Sequence, residues 1–135
     1  MQYDHRGRMV KNVEQAESFI RHFMVESTSH EGERFTHSVM EYDLYLPWLM
    51  EVVENMRLPE GKEPTPTPLL ERIYMEAAWN LCMAGYLRMG PRKAGYDNAR
   101  DAYGKGYSLT YRGEEWLRAY QPTSFDKGWP ELLGT

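Results

Sequence analysis

Six cations, Arg88, Arg92, Lys93, Arg100, Lys105 and Arg112, fall within residues 88–112, against two carboxylates, Asp97 and Asp101. A cluster of that sign suits phosphate, because each Lys or Arg that meets a nucleic-acid backbone releases condensed counterions. Tyr96 and Tyr103 lie among them, placed to pack on sugars or fill a groove edge. The front of the chain has the opposite sign, with seven Lys and Arg against twelve Asp and Glu over residues 1–67. That polarity marks the basic segment as a place to look for a partner. The net charge of −4, however, argues against a generic nucleic-acid binder.

Catalytic chemistry has less support. The four histidines, His5, His22, His30 and His37, all lie in the first 37 residues. Neither helical nor strand spacing brings His22, His30 and His37 to one face with Glu26, Glu31 or Glu33, as a metal cluster would require. There is no phosphate-binding glycine loop, nucleophile elbow or zinc-protease signature. The single cysteine, Cys82, has no disulfide partner and sits in an apolar helical stretch, where it reads as a small core residue. The expectation is a protein that is not an enzyme and carries no cofactor or metal.

Apolar spacing predicts the elements that must position these groups. Asn12-x-x-Gln15 has the form of a capping box, and Val13, Ala16, Ile20, Phe23 and Met24 follow at helical spacing, which predicts a helix near 13–25. Val39, Tyr42, Leu46, Leu49, Val53 and Met56 form a second stripe interrupted by Pro47. Either a helix starts at Pro47 or a longer one kinks there, and its regular part is expected over about 44–57. Residues 58–68, Leu58-Pro59 through Pro68, alternate proline with polar residues and read as a loop within one domain. Leu69 to Ala84 is the best helix, with Leu70, Ile73, Tyr74, Ala77, Leu81 and Ala84 on its inward face. The tail holds Phe125, Trp129, Pro130, Leu132 and Leu133, apolar enough to dock.

The C-terminal half changes period after Gly85. Gly85 follows the helical run and supplies the left-handed residue that ends it. Tyr86 and Leu87 then read as extended, and Tyr107, Ser108 and Leu109 as the return strand. Thr110 is placed to cap a last helix, Gly113 lets its first turn lie close to the sheet, and Trp116 and Leu117 form its apolar face. This pattern, Gly85-Tyr86-Leu87 followed by Tyr107-Ser108-Leu109-Thr110-x-x-Gly113-x-x-Trp116-Leu117, resembles the C-terminal half of the winged helix-turn-helix superfamily over about residues 68–120. The resemblance implies a mainly α domain with a small two-stranded antiparallel β-wing (α+β), pairing residues near 86–89 with residues near 106–110. It implies one winged-helix-like domain over 1–135. The N-terminal helices occupy 1–58, the Pro-rich loop 59–68, the helix, wing and last helix 69–120, and the tail 121–135.

The resemblance also implies a function, a small DNA-binding transcriptional regulator. The helix after the Pro-rich loop would be the recognition helix, with Arg72 and Asn80 reading bases, and residues 90–106 would form a long wing. Arg88, Arg92, Lys93, Arg100, Lys105 and Arg112 would contact the phosphate backbone of double-stranded DNA. The alternative is a winged-helix protein-interaction module, an assembly subunit or phage-like inhibitor, with no DNA binding. Glu71 and Glu76 on the recognition face would repel phosphate, and Met75, Trp79 and Met83 suit a protein partner better. The Pro-rich loop also exceeds an ordinary helix-turn-helix turn. Trp48, Met50 and Val52 lie off the second apolar stripe and Trp79 off the third. These four are expected at protein interfaces, with Phe19 and Phe23 adding area to a homodimer of the front helices. No apolar run reaches membrane-spanning length, and the polar start Met1–Arg6 does not read as a signal peptide. A cytoplasmic location with no membrane partner is therefore expected.

Overall fold

The computed structural model describes residues 4–26, 42–92, 105–123 and 129. After a 3-10 turn at His5–Met9, helix α1 spans Val13–Glu26. Its start is held from both sides. Asn12 Oδ1 accepts from the Gln15 amide and Gln15 Oε1 accepts from the Lys11 amide, each at 2.8 Å. The reciprocal cap read from Asn12-x-x-Gln15 is thus present, with its second arm one residue further out. Ala16, Phe19, Ile20, Phe23 and Met24 all point into the core. Gly7 of the preceding turn lies against the end of the Phe19 ring, where a Cβ would come within 2.5 Å of Cζ.

The second apolar stripe does not make one helix. Leu44–Tyr45 form a short strand, β1, and helix α2 runs over Leu46–Glu54 with Pro47 in its first turn. The expected helix over 44–57 is therefore trimmed at both ends. The cause upstream is competition for hydrogen bonds. Pro47 has no amide to donate to the residue 43 carbonyl, so a helix cannot run on upstream through it unbroken, and the amides of Asp43 and Leu46 donate instead to the Tyr107 and Lys105 carbonyls, at 2.9 and 2.8 Å.

Helix α3 (Thr67–Met83) again has proline in its first turn and packs mainly against α1. Ala78 is buried with the expected inward residues, whereas Ala84 is exposed beyond the helix end. The helix closes in a Schellman motif. The Gly85 amide donates to the Cys82 carbonyl and the Tyr86 amide to that of Leu81, both at 3.0 Å, with Gly85 at φ 88°, as only a residue without Cβ adopts readily. The Pro-rich segment is fastened to the front of the chain. The Thr65 amide and hydroxyl donate to the carbonyls of Arg8 (3.1 Å) and Val10 (2.6 Å), and Arg8 donates to the Thr65 carbonyl.

Strands β2 (Leu87–Met89) and β3 (Gly106–Leu109) pair antiparallel, with Leu87 opposite Leu109 and Met89 opposite Tyr107. The expected hairpin pairing is present, but the sheet is not two-stranded. β1 adds to the far edge of β3, giving the order β1-β3-β2. Two residues are too few to show alternation, so no sequence signal marked β1. Helix α4 (Tyr111–Arg118) follows at once, and Leu117 joins the core. Trp129 of the tail is also buried; Phe125, Pro130, Leu132 and Leu133 lie outside the described residues. Among the described residues, no helix is long and apolar enough to cross a membrane.

The Thr110 hydroxyl works in two directions. It accepts from the Gly113 amide at 2.9 Å, capping α4, and donates to the Gly85 carbonyl at the end of α3. Thr110→Ala should cost about 1–2 kcal/mol, as for other lost N-caps. Thr110→Ser, which keeps the oxygen, should stay close to wild type. Urea unfolding followed by tryptophan fluorescence checks this, and equal losses in the two variants would reject the capping account.

Candidate functional site

The solvent face of α3 carries a ridge of large apolar side chains. Met75, Trp79 and Met83 recur every four residues, so they stack along one side of the helix. They are 58%, 49% and 69% exposed, and Leu69 near the helix start is 47% exposed. Glu71, Arg72 and Glu76 stand exposed beside them. The thioether and indole groups match the enriched chemistry of protein interfaces, and the carboxylates beside them oppose a phosphate-binding face.

Next to the ridge, α2 and α3 part to leave an open groove of about 660 Å³. From α2 it takes Leu46, Pro47, Met50, Glu51 and Glu54, with Asn55 at the helix end. From α3 come Glu71, Tyr74 and Met75, and Lys105 enters from the start of β3. Leu46 and Tyr74 are buried and make the floor. The Tyr74 hydroxyl donates to the Gly7 carbonyl at 2.6 Å, and burial raises its pKa well above the ordinary tyrosine range. It is a fixed part of the floor, with no proton to exchange near neutrality.

The expected base-reading pair is divided. Arg72 is exposed on α3, but Asn80 faces α1, where its Nδ2 donates to Glu17 Oε2 at 3.3 Å. Burial pushes the Glu17 carboxyl above its usual pKa, partly offset by that hydrogen bond and reinforced by Glu14. The expected phosphate contacts are dispersed too. Arg92 pairs with Asp43, Nη1 to Oδ1 at 3.0 Å, and the Asp43 side chain is fully buried. Its other oxygen, Oδ2, accepts from the Leu109 amide at 2.8 Å. Asp43 thus bolts the base of the β2–β3 loop to the sheet, and Arg92 serves that bolt.

Arg88 and Arg112 are exposed. Arg88 Nη1 reaches the Leu109 carbonyl at 3.4 Å, and the Arg112 guanidinium lies 5.3 Å from the centre of the Tyr86 ring. Tyr86 stacks on Trp116 with ring centres 4.6 Å apart, and Arg21 covers the Trp116 ring at 5.2 Å and donates to its carbonyl. Arg112, Tyr86, Trp116 and Arg21 therefore form a ladder of cations and rings that clamps α4 to α1. Lys105 is exposed at the groove, and Lys93 and Arg100 lie outside the described residues, as do Tyr96 and Tyr103.

Of the expected interface residues, Trp79 stands on the ridge and Met50 in the groove. Trp48 packs on Phe23 with ring centres 5.0 Å apart, and Val52 is half-buried against the core. Phe19 and Phe23 are fully buried and offer no dimer surface, because the α1 stripe is spent on α3. Among the described residues the sulfur and imidazole groups do not converge. Cys82 is half-buried and burial pushes its thiol pKa up, and His22 Nδ1 lies 2.6 Å from the Tyr120 hydroxyl. His30 and His37 lie outside the described residues, among which no three His, Cys, Asp or Glu side chains are grouped to hold a metal ion. Sequence reasoning missed Asp43 and the glutamates Glu51 and Glu54. Their spacing with Met50 on one face of α2 was visible, but not that this face looks at α3.

No family model, curated protein or solved structure matches this chain.

Proposed function

We propose that this chain is a winged-helix-like module that binds another protein through the outer face of α3. The element order helix, strand, helix, helix, strand, strand, closed by the last helix α4, and the sheet order β1-β3-β2 support the winged-helix reading. The observation that carries the function is the exposed Met75, Trp79 and Met83 ridge, about half or more of each side chain in water. Exposed aromatic and thioether groups contiguous on one rigid helix are the kind of anchors that dominate protein interfaces. Asn80 turned to Glu17, and Arg92 given to Asp43, weaken the DNA alternative. Arg88, Lys105 and Arg112 remain exposed and keep that alternative testable.

Two measurements decide between them. The immobilised chain is exposed to nuclease-treated cell extract, alongside a variant with Trp79→Glu and Met83→Glu. In parallel, labelled random duplex DNA is titrated at low and moderate salt. The expected result is a specific protein retained by wild type and lost by the double variant, with little DNA binding. Duplex affinity that falls steeply with salt and ignores the ridge variant would overturn the reading in favour of DNA.

A further inference from the structure

We infer that the groove between α2 and α3 receives a basic amphipathic segment of the partner protein, an inference that rests on the protein-binding reading above. The groove adjoins the ridge through Glu71 and Met75, which belong to the same helix as Trp79. Its floor is apolar, with Leu46 and Tyr74 buried at the bottom and Met50 and Met75 on the two walls. Its rim is acidic. Glu51 and Glu54 lie one turn apart on α2, Glu71 faces them from α3, and among the described residues Lys105 is the single cation lining the groove. All three glutamates are exposed, and none has an ion pair among the described residues.

That charge pattern selects the occupant. An acidic segment would meet three carboxylates and one ammonium group. A segment with leucine-like side chains on one face and Lys or Arg along its edges would fill the floor and pair with the rim. An open groove between two helices suits the helix-in-groove mode, in which anchors at i, i+3, i+4 and i+7 enter side by side. Methionines on both walls favour such a guest, since their flexible, polarisable side chains adapt to differently shaped anchors.

The probe is a fluorescein-labelled helical peptide of leucine and lysine in that pattern, compared by anisotropy with its leucine and glutamate counterpart. Wild type should bind the lysine peptide and not the glutamate one. Glu51→Lys, Glu54→Lys and Glu71→Lys together should weaken binding about tenfold, since each exposed pair contributes only a modest factor. Glu60→Lys, Glu63→Lys and Glu115→Lys change the net charge equally at exposed sites away from the groove, and should leave binding near wild type. Met75→Ala, at a side chain already largely in water, should weaken it without unfolding the protein.

Absence of binding to the lysine peptide, equal binding of both peptides, or equal losses in the two triple variants would overturn the groove proposal. The extract experiment with the Trp79 and Met83 variant stays independent of these outcomes. A partner still lost on changing the ridge would leave the broader function standing while the groove proposal fails. A second copy of the chain seated in the groove would instead appear as a doubled mass in light scattering that the groove triple variant abolishes, and it too would overturn the proposal.

Discussion

Asp43→Ala is expected to lower the unfolding free energy by about 3–5 kcal/mol, the range for removing one partner of a buried ion pair. The Asp43 side chain has no solvent exposure and holds two groups from different parts of the chain. Oδ1 faces Arg92 at 3.0 Å and Oδ2 accepts from the Leu109 amide at 2.8 Å. Alanine leaves the guanidinium without this counter-charge and the β3 amide without its side-chain acceptor, and a buried unpaired donor is costly in itself. Because small proteins are stable by only about 5–15 kcal/mol, the variant should be partly unfolded at modest urea. Asp43→Asn keeps an oxygen for the Leu109 amide and loses the charge, so it should fall between alanine and wild type. Equilibrium urea unfolding of the three proteins tests the order. An alanine variant within about 1 kcal/mol of wild type, below the range for a broken buried pair, would show that the Asp43 bolt contributes little.

Gly113→Ala should be nearly as damaging, for a steric reason. A Cβ at residue 113 would lie 2.0 Å from the Tyr86 carbonyl oxygen and 2.9 Å from Leu109 Cδ2. The first of these is backbone at the junction of α3 and β2, so it cannot swing aside as a surface side chain can. α4 would have to lift from the sheet, parting the Tyr86–Trp116 stack and the Arg21 contacts that clamp it to α1. A cost of about 3 kcal/mol is expected, the upper end for overpacking a filled site. The helix-propensity gain of alanine over glycine, about 1 kcal/mol, is too small to reverse it. Thermal and urea unfolding should both show the loss. The opposite outcome, an alanine variant more stable than wild type, would mean that propensity rather than clearance governs this position.

The folding of the C-terminal half was legible because its signals are local. Gly85 ends α3 at positive φ, Thr110 caps α4 and Gly113 permits the close approach, and each depends on residues within a few positions or on the absence of a Cβ. The Asn12 and Gln15 cap was readable for the same reason. β1 was not. It exists because Asp43 and Leu46 find carbonyls some sixty residues away, and two residues carry no periodicity of their own.

The candidate site divides along the same line. That Trp79, Met75 and Met83 share the outer side of one helix follows from the helical repeat, which the sequence determines by itself. That Trp48 is spent on Phe23, Asn80 on Glu17 and Arg92 on Asp43 was decided only by the tertiary structure. So was the meeting of Glu51 and Glu54 with Glu71 across a groove. Side-chain type and spacing establish which groups a helix presents on each face. Which of those groups remain available depends on what packs opposite, and that is a property of distant contacts.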